Sequence, residues 1–135
     1  MAIGVAALTI VIVAMLGRER SASTPSTAKQ VDAELALTDA RIASGRLVGP
    51  GSDEALDHLL AARSIDAEHP GVRERLRLLA AKFQQLADQA GAAGSLAEAA
   101  AHLQAILVLE PDNAAAAARV TEIEEQILAR QRRRP

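Results

Sequence analysis

The chain reads as all-α: an N-terminal transmembrane helix followed by an antiparallel helix-turn-helix repeat of about five helices. Three observations predict this. Met1 to Gly17, "MAIGVAALTIVIVAMLG", carries no charge. The remaining chain is rich in Ala and Leu but has one Phe and no Trp, Tyr or Cys. That composition suits closely packed helices and not a β-sandwich. Finally, the sequence matches itself when slid by 44 residues.

Residues 1–17 would span roughly 26 Å as a helix, slightly under a hydrocarbon core of about 30 Å. Arg18, Glu19 and Arg20 end the run. A secretory signal peptide would need a positive leader, which is absent, although Ser21–Ser23 resembles a cleavage site. A buried core helix would show one wet face. The expectation is a single-pass membrane anchor at 1–17. Arg18 and Arg20 favour a cytoplasmic C-terminal side, but Glu19 interleaves them and the N-terminal flank is empty, so the side of the repeat domain stays open.

Residues 18–30 read as a juxtamembrane linker around the Ser/Thr/Pro stretch "SASTPSTA". The helical domain is expected over 31–132, with a basic tail at 133–135. Thr27 and Gln30 fit a capping box for the first helix, which runs to about Ser44 with Leu35, Leu37 and Ile42 as its apolar positions. "GRLVGPG", Gly45–Gly51, breaks the chain. Ser52 or Asp53 restarts it, and Leu56, Leu59 and Leu60 carry an apolar face to about Ala67. Pro70 suits the first turn of a long helix. There Val72, Leu76, Leu79, Phe83, Leu86 and Ala90 alternate at spacings of four and three, a buried stripe reaching about Gly91. Ser95 and Glu98 form a second capping box, and Leu96, Ala99, Leu103 and Ile106 keep the rhythm. Pro111 and Asp112 punctuate. Ala116, Val120, Ile123 and Ile127 line the last helix.

In the self-match, Asp53–Leu79 falls on Ala97–Ile123 without a gap. Glu54-Ala55 meets Glu98-Ala99, His58-Leu59 meets His102-Leu103, and Arg75 meets Arg119. Turn, acid and apolar stripe coincide, which marks a helical repeat. Ala80 to Asn113 is 34 residues long and resembles a tetratricopeptide repeat. Phe83 stands for that family's first-helix aromatic and Leu86-Ala87 for its Leu-Gly pair. Gly94 matches the turn glycine, Leu96 the large residue after it, and Ala99 the small residue at the helix contact. Leu103 and Ile106 follow as packing positions, and Pro111 closes the unit. Ala90 departs from the family's aromatic. Gly45 to Asp66 resembles the second half of the same unit with about five extra residues in its turn. An antiparallel coiled-coil hairpin is the competing architecture, and the short helices and repeated turns argue against it.

The resemblance implies a TPR-like α-solenoid that offers a concave face to a protein or peptide partner. On that face it places Ala81, Gln84 and Asp88. The family's carboxylate-clamp version uses Lys and Asn there, so that chemistry is missing. About two repeats and a closing helix fall below the three usually needed, so the domain is expected to lean on a partner, on a second copy or on further chain. The functional expectation is a membrane-anchored protein–protein interaction scaffold. The alternative is a structural or spacer segment of a larger membrane protein whose activity lies elsewhere, such as a receptor, a kinase or an envelope transducer.

No catalytic constellation emerges. His58 and His102 occupy equivalent repeat positions, and without Cys or a His-x-x-x-His pair they read as repeated helix-surface residues rather than metal ligands. His69 reads as solvated. Asp53, Glu54 and Asp57 read as charge at a helix start. The Gly-rich turn lacks the Lys-Ser/Thr of a phosphate loop. The chain is therefore expected to be a non-enzyme without cofactor or metal. A net charge of −2 and no aromatic platform speak against nucleic acid. The Arg-rich end "ARQRRRP" reads as favourable charge at a helix C-terminus, with contact to anionic lipid as the sharper alternative.

Overall fold

The computed structural model describes residues 25–133, and the proposed anchor at 1–17 lies outside them. Five helices follow in order: α1 (Pro25–Ala43), α2 (Ala55–Ile65), α3 (Pro70–Ala92), α4 (Leu96–Leu109) and α5 (Ala114–Arg132). The described residues contain no strand, and the all-α class holds. None of the described helices is long and apolar enough to cross a membrane.

Helix ends follow from local chemistry. α1 and α3 both stop at a glycine with positive φ, Gly45 at 74° and Gly94 at 78°. Each makes the paired backbone bonds of a Schellman turn. Arg46 and Gly45 donate to Arg41 and Ile42, and Ser95 and Gly94 donate to Ala90 and Gly91. The start signals are less faithful to the sequence expectation. α1 already begins at Pro25, so Thr27 and Gln30 lie inside the helix, and part of the 18–30 spacer is helical. α2 begins at Ala55, later than Ser52 or Asp53, with Glu54 as its N-cap. The Asp57 carboxylate accepts from the Glu54 N–H at 3.1 Å. Ser95 is the N-cap of α4, but its side chain makes no capping bond. At α3, Pro70 takes the first turn and His69 Nδ1 accepts from the Gly71 N–H at 3.2 Å. His69 is therefore a half-buried cap, not a solvated loop residue. Asn113 caps α5 by accepting from the Ala116 N–H at 3.0 Å.

The core is one cluster drawn from all five helices. On α1 the buried positions are Val31, Leu35 and Thr38, with Ile42 packed at the edge and Leu37 exposed. Their spacing is helical, but Thr38 hides it because threonine counts as polar. Its hydroxyl donates to the Glu34 carbonyl at 2.9 Å, so burial leaves no unpaired group. The break after α1 is not a free loop either. Leu47 is buried, and the carbonyls of Arg46 and Leu47 accept the first two N–H groups of α2 at 2.9 and 3.1 Å.

On α3, Val72, Leu79, Phe83, Ala87 and Ala90 are buried, with Leu76 and Leu86 at the margin. On α4, Ala99, Leu103 and Ile106 are buried, with Leu96 at the margin. The repeat-packing set thus faces the core, except Gly94 and Pro111, which are exposed turn residues.

The 44-residue register is not matched by equal packing. α4 packs extensively on α5, whereas the equivalent α2 packs sparsely on α3. α5 opens with five alanines, Ala114–Ala118, where α3 carries Pro70, Gly71, Val72, Arg73 and Glu74. Helix separation depends on the side chains at the contact, and the alanines permit a closer approach. The result is an α1–α2 hairpin joined to an α3–α4–α5 unit. α1 meets α3 near Gly71, where a Cβ would come within 2.8 Å of Leu35 Cδ1.

Two measurements check this account. Gly94→Ala should lower stability by about 1 kcal/mol, since an L side chain is disfavoured at positive φ. Gly91→Ala, inside α3 and with open space for a Cβ, should raise stability by roughly 0.5–1 kcal/mol. Urea unfolding that moves both midpoints in one direction would contradict the assignment of the turn. Ala99 is fully buried, so Ala99→Trp should cost roughly 1–3 kcal/mol or more. A wild-type melting temperature for that variant would refute the packing described.

Candidate interaction face and histidine network

The odd-numbered helices share a ladder of Arg–Asp pairs. Arg75 of α3 donates to both Asp39 oxygens of α1, at 3.2 and 2.8 Å. Arg119 of α5 donates to Asp88 of α3 at 2.6 Å. Arg75 and Arg119 are the repeat-equivalent arginines, and each reaches back to an acid on the preceding odd helix. The Arg119 guanidinium and the Gln84 amide hold the Asp88 carboxyl below its ordinary range. The pairs are exposed, so they set register more than they add stability.

Of the expected partner-face residues, Ala81 is exposed and Gln84 half-buried. Together they line a groove of about 240 Å³ between α3, the end of α4 and the start of α5, rimmed by Arg77, Glu110 and Asn113. Asp88 does not line it. It sits one turn along α3, bound by the Gln84 Nε2 at 3.0 Å. The ladder arginines and Asp39 were not singled out as face residues from the sequence. The coincidence of Arg75 with Arg119 in the self-match was the available signal.

The two repeat-equivalent histidines are not surface residues. Their side chains are 15% and 16% exposed, and they sit in different chemistry. The His102 ring stacks on Phe83 with centroids 6.0 Å apart and planes at 26°. Its Nδ1 is buried with no hydrogen-bond partner. His58 instead bridges two carboxylates: Nδ1 lies 2.7 Å from Glu34 Oε2, and Nε2 lies 2.9 Å from Asp53 Oδ1. Glu34 and Phe83 are themselves equivalent. Each lies eleven residues before its helix-ending glycine, Gly45 or Gly94. The same hairpin position therefore holds a polar pair in one unit and an aromatic pair in the next.

Asp53 is more than helix-start charge. Arg41 clasps it in a fork, with Nη2 donating to Oδ1 and Oδ2 at 2.7 Å each and Nε donating to its carbonyl at 3.0 Å. Arg46 adds contacts to Asp53 at 3.2 Å and to Glu54 at 3.1 Å. His58, then Arg41, holds the Asp53 carboxyl well below the carboxylate range. Asp53, then Glu34, pushes the His58 imidazole up from its ordinary 6.5. Among the described residues, no group of three or more His, Asp or Glu has the arrangement of a metal site.

The contrast between the histidines is measurable. His102→Leu removes a buried atom without a partner and should raise stability by about 1 kcal/mol. His58→Leu leaves Glu34 and Asp53 without their shared donor and should lower it. Chemical denaturation showing the same sign for both substitutions would contradict the distinct environments.

Comparison with protein-family models, curated proteins and solved structures finds no match to this chain.

Proposed function

We propose that the chain is a membrane-anchored, TPR-like interaction module that works by binding a protein or peptide partner rather than by catalysis. The observation that carries this reading is the α3-lined groove, in which Ala81 and Gln84 stand beside one cationic and one anionic rim residue, Arg77 and Glu110. Ala80 and Ile106 close the groove from the core side, so a partner would meet chiefly Ala81 and the polar groups at the rim.

The Schellman glycines and the buried Phe83, Ala87, Ala99, Leu103 and Ile106 support a TPR-like hairpin. α5 supports a stack that closes. It carries exposed Glu124 where α3 carries buried Ala80, and a polar outer face is what a capping helix needs. Membrane attachment rests on the uncharged run at 1–17.

The test is site-specific photo-crosslinking in cells expressing the full chain. A photoreactive residue replacing Ala81 or Gln84 should give a discrete adduct, and one replacing Gln104, exposed on α4, should not. The adduct should lie in the membrane fraction and leave it when residues 1–17 are deleted. Equal crosslinking from position 104, or none from positions 81 and 84, would reject the groove as the partner face.

A further inference from the structure

We infer that Glu34, His58 and Asp53 form a proton-operated clasp that fastens the 44–54 loop across the α1–α2 hairpin. With both carboxylates ionised, the geometry fits a charged ring. Carboxylates accept hydrogen bonds and do not donate them, and a neutral imidazole has a single N–H. Contacts of 2.7 Å to Glu34 and 2.9 Å to Asp53 are both hydrogen bonds only when both ring nitrogens carry protons. Loss of one proton leaves a nitrogen lone pair facing a carboxylate.

The clasp joins three parts of the chain. Glu34 belongs to α1, Asp53 to the loop and His58 to α2. The surrounding charges are arranged to keep it closed. Arg41 from α1 and Arg46 from the loop hold Asp53, Arg46 also holds Glu54, and Asp57 is engaged with the Glu54 backbone. From α3, Arg75 is committed to Asp39 and not to this cluster. Behind the clasp lie Leu47, buried, and the two backbone bonds through which the loop caps α2. Opening would expose Leu47 and uncap Ala55 and Leu56.

The sign follows from the shifted groups. The folded imidazole binds its proton more tightly than the ordinary value of 6.5, so its contribution is complete below that value and is lost as pH rises through the folded one. The folded Asp53 carboxyl is depressed below 3.8, so its contribution is present above that value and is lost as pH falls through the folded one. The His58 contribution to the clasp is therefore complete in mildly acidic conditions and is lost as pH rises through the raised folded value.

The test uses the full chain in detergent micelles, with the His58 ring titrated by NMR and amide-exchange protection followed across the same pH range. Protection at Ala55 and Leu56 should fall as His58 loses its proton, while Leu79 and Phe83 in α3 keep theirs. The fall should be about tenfold for each unit by which the folded His58 pKa exceeds its unfolded one. His58→Gln should abolish the dependence, and Glu34→Gln, which keeps the histidine, should lower the pH at which protection is lost. A His58 that titrates at or below its ordinary value, or protection at Ala55 and Leu56 that ignores its titration, would overturn the clasp.

Discussion

Close helix approach through alanine is the constraint on which the structure depends. With one Phe and no Trp or Tyr, bulk cannot fill wide interhelical gaps. Alanine must narrow them, and Ala55, Ala62, Ala87, Ala99 and Ala116 are each 2% exposed or less. Such contacts leave little room for adjustment, because interiors pack near crystalline density. The C′ glycines serve the same end. They turn the chain directly after α1 and α3, and after α3 only Ala93, Gly94 and Ser95 separate one helix from the next.

Repetition supplies positions, and chemistry then diverges at them. His58 and His102 occupy equivalent places, as do Glu34 and Phe83. One hairpin uses the pair for charge and the other for ring stacking. The α1–α2 hairpin has a longer turn to secure, and the charged pair reaches it through Asp53. The α3–α4 hairpin has a three-residue turn that needs no such tie, and its histidine stacks on Phe83 instead. The same divergence appears at the helix junctions. Alanines at the start of α5 let it settle on α4, while α3, which opens Pro70-Gly71-Val72, packs only sparsely on α2.

Long polar side chains link helices that apolar packing joins only sparsely, both between the two units and within the α3–α4–α5 unit. Arg75 and Arg119 connect successive odd helices. Arg63 of α2 donates to the Leu109 carbonyl at the end of α4 at 3.0 Å, and Arg130 of α5 donates to the Gly94 carbonyl at 3.3 Å. These last two also satisfy carbonyls at a helix end and a turn. The groove lined by Ala81 and Gln84 lies where α5 leaves α4, so its shape depends on how these links set α5 against α3.

The sequence by itself determined what is local or periodic. The α3 stripe, the turn glycines, Pro70 at a helix start and the small residue at Ala99 were legible because each follows from backbone preference or from helical spacing. The α1 face was legible only in part, since Thr38 breaks a hydrophobic pattern while completing a buried one. The side chains expected at helix starts did not all make the capping bonds assigned to them. Ser95 makes no capping bond, and Asp53 turns from the helix end to Arg41 and His58. The partners of His58, the Arg–Asp ladder and the burial of Leu47 were decided by tertiary structure alone. They join residues five to 36 positions apart in sequence, and a charged side chain's partner is whichever opposite charge the packed helices bring near. Packing also decided that two units of matching sequence register meet their neighbours unequally, because interhelical distance is set by both surfaces at once.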